Sequence, residues 1–122
     1  MNYMPPAAAA EAQARIDRAA RDAGRDPAEI RRIYNMPGAF TAAPPAAARD
    51  TDDAIVGPPD RWIDVLTHLA LDLGFGTFVL MGPPDPRMLR TFIEDVAPRV
   101  RERVATARAL EGAAGEGRAT RA

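Results

Sequence analysis

The sequence predicts an α/β fold in which two parallel strands are joined by a crossover helix, and three observations point that way. Residues 76–81, Gly-Thr-Phe-Val-Leu-Met, form a short continuous apolar run, the pattern of a strand buried on both faces of a parallel sheet. Residues 58–73 carry apolar side chains at helical spacing: Trp62, Val65, Leu66, Leu69 and Leu73, with Ile63 and Ala70 at the margins, cover roughly 160° of a helical wheel. The tetrapeptide Gly-Pro-Pro-Asp stands at 57–60 and again at 82–85, each time at the start of a helix, and this 25-residue spacing fits a repeated strand–loop–helix unit.

The elements follow in order. Pro5-Pro6 ahead of an Ala-rich run and Gly24 behind it predict a helix over residues 7–23, because Pro suits the first helical turn and Gly the position past the last. Its inward stripe, Ala9, Ala12, Ile16, Ala19 and Ala23, holds one large side chain, so the helix needs support from elsewhere. Asp26-Pro27 predicts a capped single turn, and residues 30–36 a short strand ended by Pro37-Gly38. Residues 37–56 read as a long Ala/Pro loop, a candidate lid or a disordered segment. Gly74 closes the helix of residues 58–73. A last helix starts near Pro86 and buries Leu89, Phe92, Ile93 and Val96. Pro98 is expected to break or kink it, with Val100 and Val104 carrying the stripe on, and residues 111–122 are expected to be a disordered tail.

Composition narrows the function. The 122 residues allow one domain or part of one, and residues 1–110 are taken as that unit. Of the 23 Leu, Ile, Val and Phe residues, 14 fall in residues 62–96, so folding strength is concentrated there. There is no Cys, Ser or Lys, which removes disulfides, thiolate metal sites, the two commonest nucleophiles and Schiff-base chemistry. The 16 basic residues are all Arg and are matched by 17 acids, giving a net charge of −1 and no basic face for nucleic acid. No stretch approaches the ~18 apolar residues of a membrane span, and no secretory leader is present, so a soluble cytoplasmic protein is expected.

Two parallel strands do not make a closed sheet, and a (β/α)₈ barrel spends roughly 30 residues on each unit, so the pattern matches about the last quarter of such a barrel. The expected fold is therefore a partial TIM (β/α)₈ barrel: two parallel strands with three to four helices.

The residues then carry a resemblance. Residues 23–30 (Ala-Gly-Arg-Asp-Pro-Ala-Glu-Ile), Arg32-Ile33-Tyr34-Asn35, Val56-Gly57-Pro58-Pro59 before the helix of 62–73, residues 74–80 (Gly-Phe-Gly-Thr-Phe-Val-Leu) and residues 92–100 (Phe-Ile-Glu-Asp-Val-Ala-Pro-Arg-Val) follow one another at matching intervals. Together, over about residues 15–105, they resemble the C-terminal end of the luciferase-like monooxygenase superfamily. The resemblance implies a TIM barrel and oxidoreductase or monooxygenase chemistry with FMN or the deazaflavin F420. It also implies that the chain is a C-terminal portion lacking about six βα units that hold most cofactor and substrate groups, and so is not catalytic on its own. The alternative reading is a non-catalytic βαβ interaction module that pairs with itself or with a separately encoded barrel portion.

Barrel chemistry sits at the C-terminal mouth of the strands. Asn35, after the first strand, and Gly82, after the second, are therefore the candidate cofactor-binding residues, weighed against simple turn roles. No catalytic residue is assigned. His68, with Asp64 and Asp72 four residues to either side, has metal-ligand spacing, but reads better as a solvated helix face with i,i+4 charge support, so no metal is expected. Trp62 reads as core. Gly74-Phe75-Gly76 lacks the third glycine and following helix of a dinucleotide fingerprint. Arg99, Arg101, Arg103 and Arg108, with Glu102, read as an exposed helix surface, with phosphate binding as the lesser alternative.

Overall fold

A computed structural model describes residues 4–42, 54–82 and 85–119 of the chain. Helix α1 (Pro6–Asp22) has Pro at its first position and turns Ala9 inward. Asp26 then caps a 3₁₀ turn (Pro27–Glu29), its carboxylate accepting the Ala28 N–H at 2.9 Å. Strand β1 (Ile33–Phe40), strand β2 (Ile55–Gly57), helix α2 (Pro59–Leu71) and strand β3 (Thr77–Met81) follow. Helix α3 (Pro86–Thr91), a π-helical turn (Phe92–Val96) and helix α4 (Ala97–Ala119) complete the order.

The three strands form one open sheet in the order β2-β1-β3, parallel throughout. The expected pairing of residues 30–36 with 76–81 is present, running from Ile33 opposite Thr77 to Pro37 opposite Met81. The α/β class with parallel strands thus stands, while the sheet differs from expectation by one strand. β2 lies within the stretch expected to be loop, and α2 crosses from β2, over β1, to β3.

β1 also runs past Pro37-Gly38, where it was expected to end. Backbone polar groups of successive strand residues point to alternate flanks. The Thr41 N–H donates to the Gly57 oxygen, so the nitrogens of Ala39 and Pro37 share the β2 flank. β2 begins opposite Gly38, so among the described residues no strand pairs with the Pro37 nitrogen on that flank. Gly38 is a close-approach residue and not a turn: a Cβ there would lie 2.1 Å from the Ile55 oxygen and 2.6 Å from the Trp62 ring. The candidate lid falls mostly on residues 43–53, outside the described residues.

Two further expectations are corrected at the C-terminus. Pro98 does not break the helix. A Pro ring clashes with the carbonyl four residues back, here that of Glu94, and Glu94 lies in a widened turn in which the Ala97 N–H bonds to the Phe92 oxygen five residues back. The tail expected to be disordered is helical as far as Ala119. Residues 111–118 are all exposed, so tertiary packing does not hold this stretch in its helix.

The core is one-sided. Trp62, Ile63, Leu66 and Leu69 of α2 pack against Tyr34 and Met36 of β1, Ile55 of β2, Phe75, and Val96 and Val100 of the last helical run. Trp62 is its centre: its ring meets Phe40 at 4.8 Å and Phe92 at 6.4 Å, and its Nε1 donates to the Ala39 oxygen at 3.4 Å. Arg99 pairs with Asp60 and Arg103 with Asp64, two ion pairs four residues apart that lie along the α2–α4 seam. On the opposite side of the sheet, alternation places Ile33, Asn35 and Pro37 of β1 beside Val79 and Met81 of β3. There Ile33 is 55% and Val79 43% exposed.

Candidate functional site

All three strands end on the same side of the molecule because all three are parallel, so Thr41, Gly57 and Gly82 share one end of the sheet. Gly82 stands where the sequence places it, just past β3, with φ +128°. A Cβ at Gly82 would meet nothing within 4 Å, so its backbone conformation, and not crowding, calls for glycine. Asn35 does not stand at that end. β1 continues five residues beyond it, and it pairs with Val79, three residues before Gly82. At a strand's rise the two candidates are separated by about 10 Å along the sheet. The structure therefore does not bring Asn35 and Gly82 together.

Asn35 is half-buried on the open side of the sheet and lines a shallow groove of about 220 Å³ with Gln13 and Ile16 of α1 and with Ile33 and Phe75. Gln13 Oε1 is buried there without a hydrogen-bond partner. Tyr34 has its ring edge-on to Phe75 at 5.0 Å, and its hydroxyl donates to the Met4 oxygen at 2.7 Å, fixing the start of α1 against β1.

A cofactor phosphate is held at such a strand end by free helix N-terminal amides and by cations. α2 starts with Pro59, which has no N–H, and places Asp60 in its first turn. α3 starts with Pro86, and the Asp85 carboxylate occupies the Arg87 N–H at 2.9 Å. The start of α3 thus has a carboxylate where an anion would sit, and at the start of α2 the Asp60 carboxylate is turned to Arg99. Arg61 comes nearest to an anion ligand: its Nε is buried without a partner, and a Cβ at Gly57 would lie 2.6 Å from its Cδ. One guanidinium beside Asp60 is not a phosphate cradle. The described residues do not fit FMN or F420 at this end.

His68 pairs with Asp72, while Asp64 turns to Arg103, and among the described residues no cluster able to hold a metal ion forms. Arg99 and Arg103 lie on the exposed surface expected for them but have acidic partners on α2, which a single helix's periodicity does not reveal. Among the described residues, no helix is long and apolar enough to cross a membrane.

The fold and this end define the chain as a parallel α/β unit with three strands in one open sheet. No family model, curated protein or solved structure matches it.

Proposed function

We propose that this chain works by association, as a barrel-type α/β segment completed by a partner whose own apolar strands cover the open face of its sheet. The observation that carries this reading is the exposure of Ile33 and Val79 on one face of a parallel sheet whose other face holds the buried core. Parallel sheets occur almost only with both faces covered, since their backbone and side chains are built for burial on both sides. Among the described residues, the three strands leave two edges without a partner strand, with hydrogen-bonding groups that invite pairing.

The resemblance to luciferase-like monooxygenases supplies the chemistry of the completed assembly: flavin- or F420-dependent oxidation, with the cofactor held mainly by the partner portion. In that assembly Gly82, at the strand ends, and Asn35, on the inner face, are the positions of this chain nearest the reaction. No catalytic step is assigned to the chain by itself.

In isolation the open face is left to pair with a second copy, so self-association is the measurable consequence. Light scattering across a dilution series should show concentration-dependent association, and the dye ANS should bind. Val79→Asp together with Ile33→Asp should abolish both and leave the far-ultraviolet circular dichroism unchanged. A monomer at every concentration, with no dye binding, overturns the reading. Fluorescence titration with FMN and with F420 should show no uptake by the isolated chain; stoichiometric uptake of either would overturn its non-catalytic half.

A further inference from the structure

We propose that the groove between β3 and α4 takes an extended, acidic segment of the partner, added as a fourth strand on the free edge of β3. This inference rests on the association reading above and names the chemistry of what associates.

The groove has a volume of about 360 Å³. Its floor is apolar, built from Phe78, Phe92, Val100 and Val104, and Arg101 and Arg108 of α4 also line it. The backbone edge beside it is open. The Thr77 N–H donates to the Arg32 oxygen on the β1 side, so by alternation the N–H and C=O groups of Phe78 and Leu80 face the outer flank, where the sheet has no further strand among the described residues. α4 packs on α2, which leaves the space over this flank unfilled.

Charge decides the occupant. Four arginines lie on the first four turns of α4, and two of them are neutralised: Arg99 by Asp60 and Arg103 by Asp64. Arg101 and Arg108 face no acid among the described residues, and they are the two that line the groove. A strand laid on an open edge gains affinity from main-chain hydrogen bonds and specificity from its alternate side chains. Here the side chains that point to the helix side of the sheet meet Phe78, Phe92, Val100 and Val104, and carboxylates within that same set meet the two guanidinium groups, each a planar donor fork suited to a carboxylate.

Fluorescence anisotropy with labelled eight-residue peptides that carry Val and Glu, or Val and Lys, on the same set of alternate positions, with Thr between them, tests this. The Val/Glu peptide should bind about tenfold tighter than the Val/Lys peptide at low salt, with the difference shrinking as salt rises. In R101E/R108E the preference should invert, with circular dichroism unchanged because both side chains are exposed. Equal binding of the two peptides, or a preference the double variant leaves alone, overturns the proposal. Loss of self-association in R101E/R108E without peptide binding assigns the groove to a second copy and also overturns it. The Val79→Asp chain separates the two readings: it should lose face-to-face association and keep the peptide preference.

Discussion

The two faces of one small sheet behave as two different materials. On the α2 side, Tyr34, Met36 and Ile55 meet Trp62, Ile63, Leu66 and Leu69 with no solvent between them. On the other side Ile33 and Val79 stand in solvent with only Asn35, Pro37 and Met81 for neighbours in the sheet. Residues one step apart on the same strand thus have opposite fates, since side chains of a strand alternate between faces. The comparison teaches that this chain's stability and its role in association live on separate sets of residues, and substitutions should separate them.

The largest effect is expected at Trp62. Trp62→Ala removes the ring that joins β1, α2 and the π-helical turn and should cost about 3–5 kcal/mol, enough to abolish a cooperative melt followed by circular dichroism. Gly38→Ala comes next. Its new Cβ would strike the Ile55 oxygen, which is backbone and cannot swing aside, so β2 must shift; a loss of about 1–3 kcal/mol in urea unfolding is expected, with hydrogen exchange raised first in residues 55–57.

On the open face the pattern should invert. Val79→Asp is expected to change stability by less than about 1 kcal/mol while removing self-association in sedimentation velocity. A Val79→Asp chain that loses as much stability as Trp62→Ala would break the comparison, because the open face would then be a second core. The smallest effect belongs to the α2–α4 seam: Arg103→Ala breaks an exposed ion pair and should cost about 0.2–1 kcal/mol by double-mutant cycle with Asp64→Ala, diminishing as salt rises.

Much of the fold is legible in the residue order. The apolar stripe and flanking Pro and Gly place α2 within two residues of its observed bounds, and the run at 76–81 places β3 within one. β2 escapes such reading because three residues, Ile55, Val56 and Gly57, are too short to show a period, and they are extended only by pairing with β1. The extension of β1 through Pro37 and Gly38 escapes for a related reason. Both residues carry strong turn chemistry, and what overrides it is external: pairing of Pro37 with Met81 in β3 and of Gly38 with Ile55 in β2, with the Trp62 ring against the Gly38 Cα. Of the two candidate site residues, Gly82 was placed correctly at a strand end because Gly-Pro-Pro is local punctuation, whereas Asn35 moved to mid-strand when β1 lengthened.

Residue order alone determined the helices, the two main strands and their parallel sense, because caps, breakers and apolar periodicity act over a few residues and a crossover helix forces parallel pairing. Tertiary structure decided which edge strand completes the sheet, which arginines on α4 are neutralised and which face stays open. Those outcomes depend on atoms brought together from 17 to 39 positions apart, as in Gly38 against Ile55 and Arg103 against Asp64, and no local rule reaches that far.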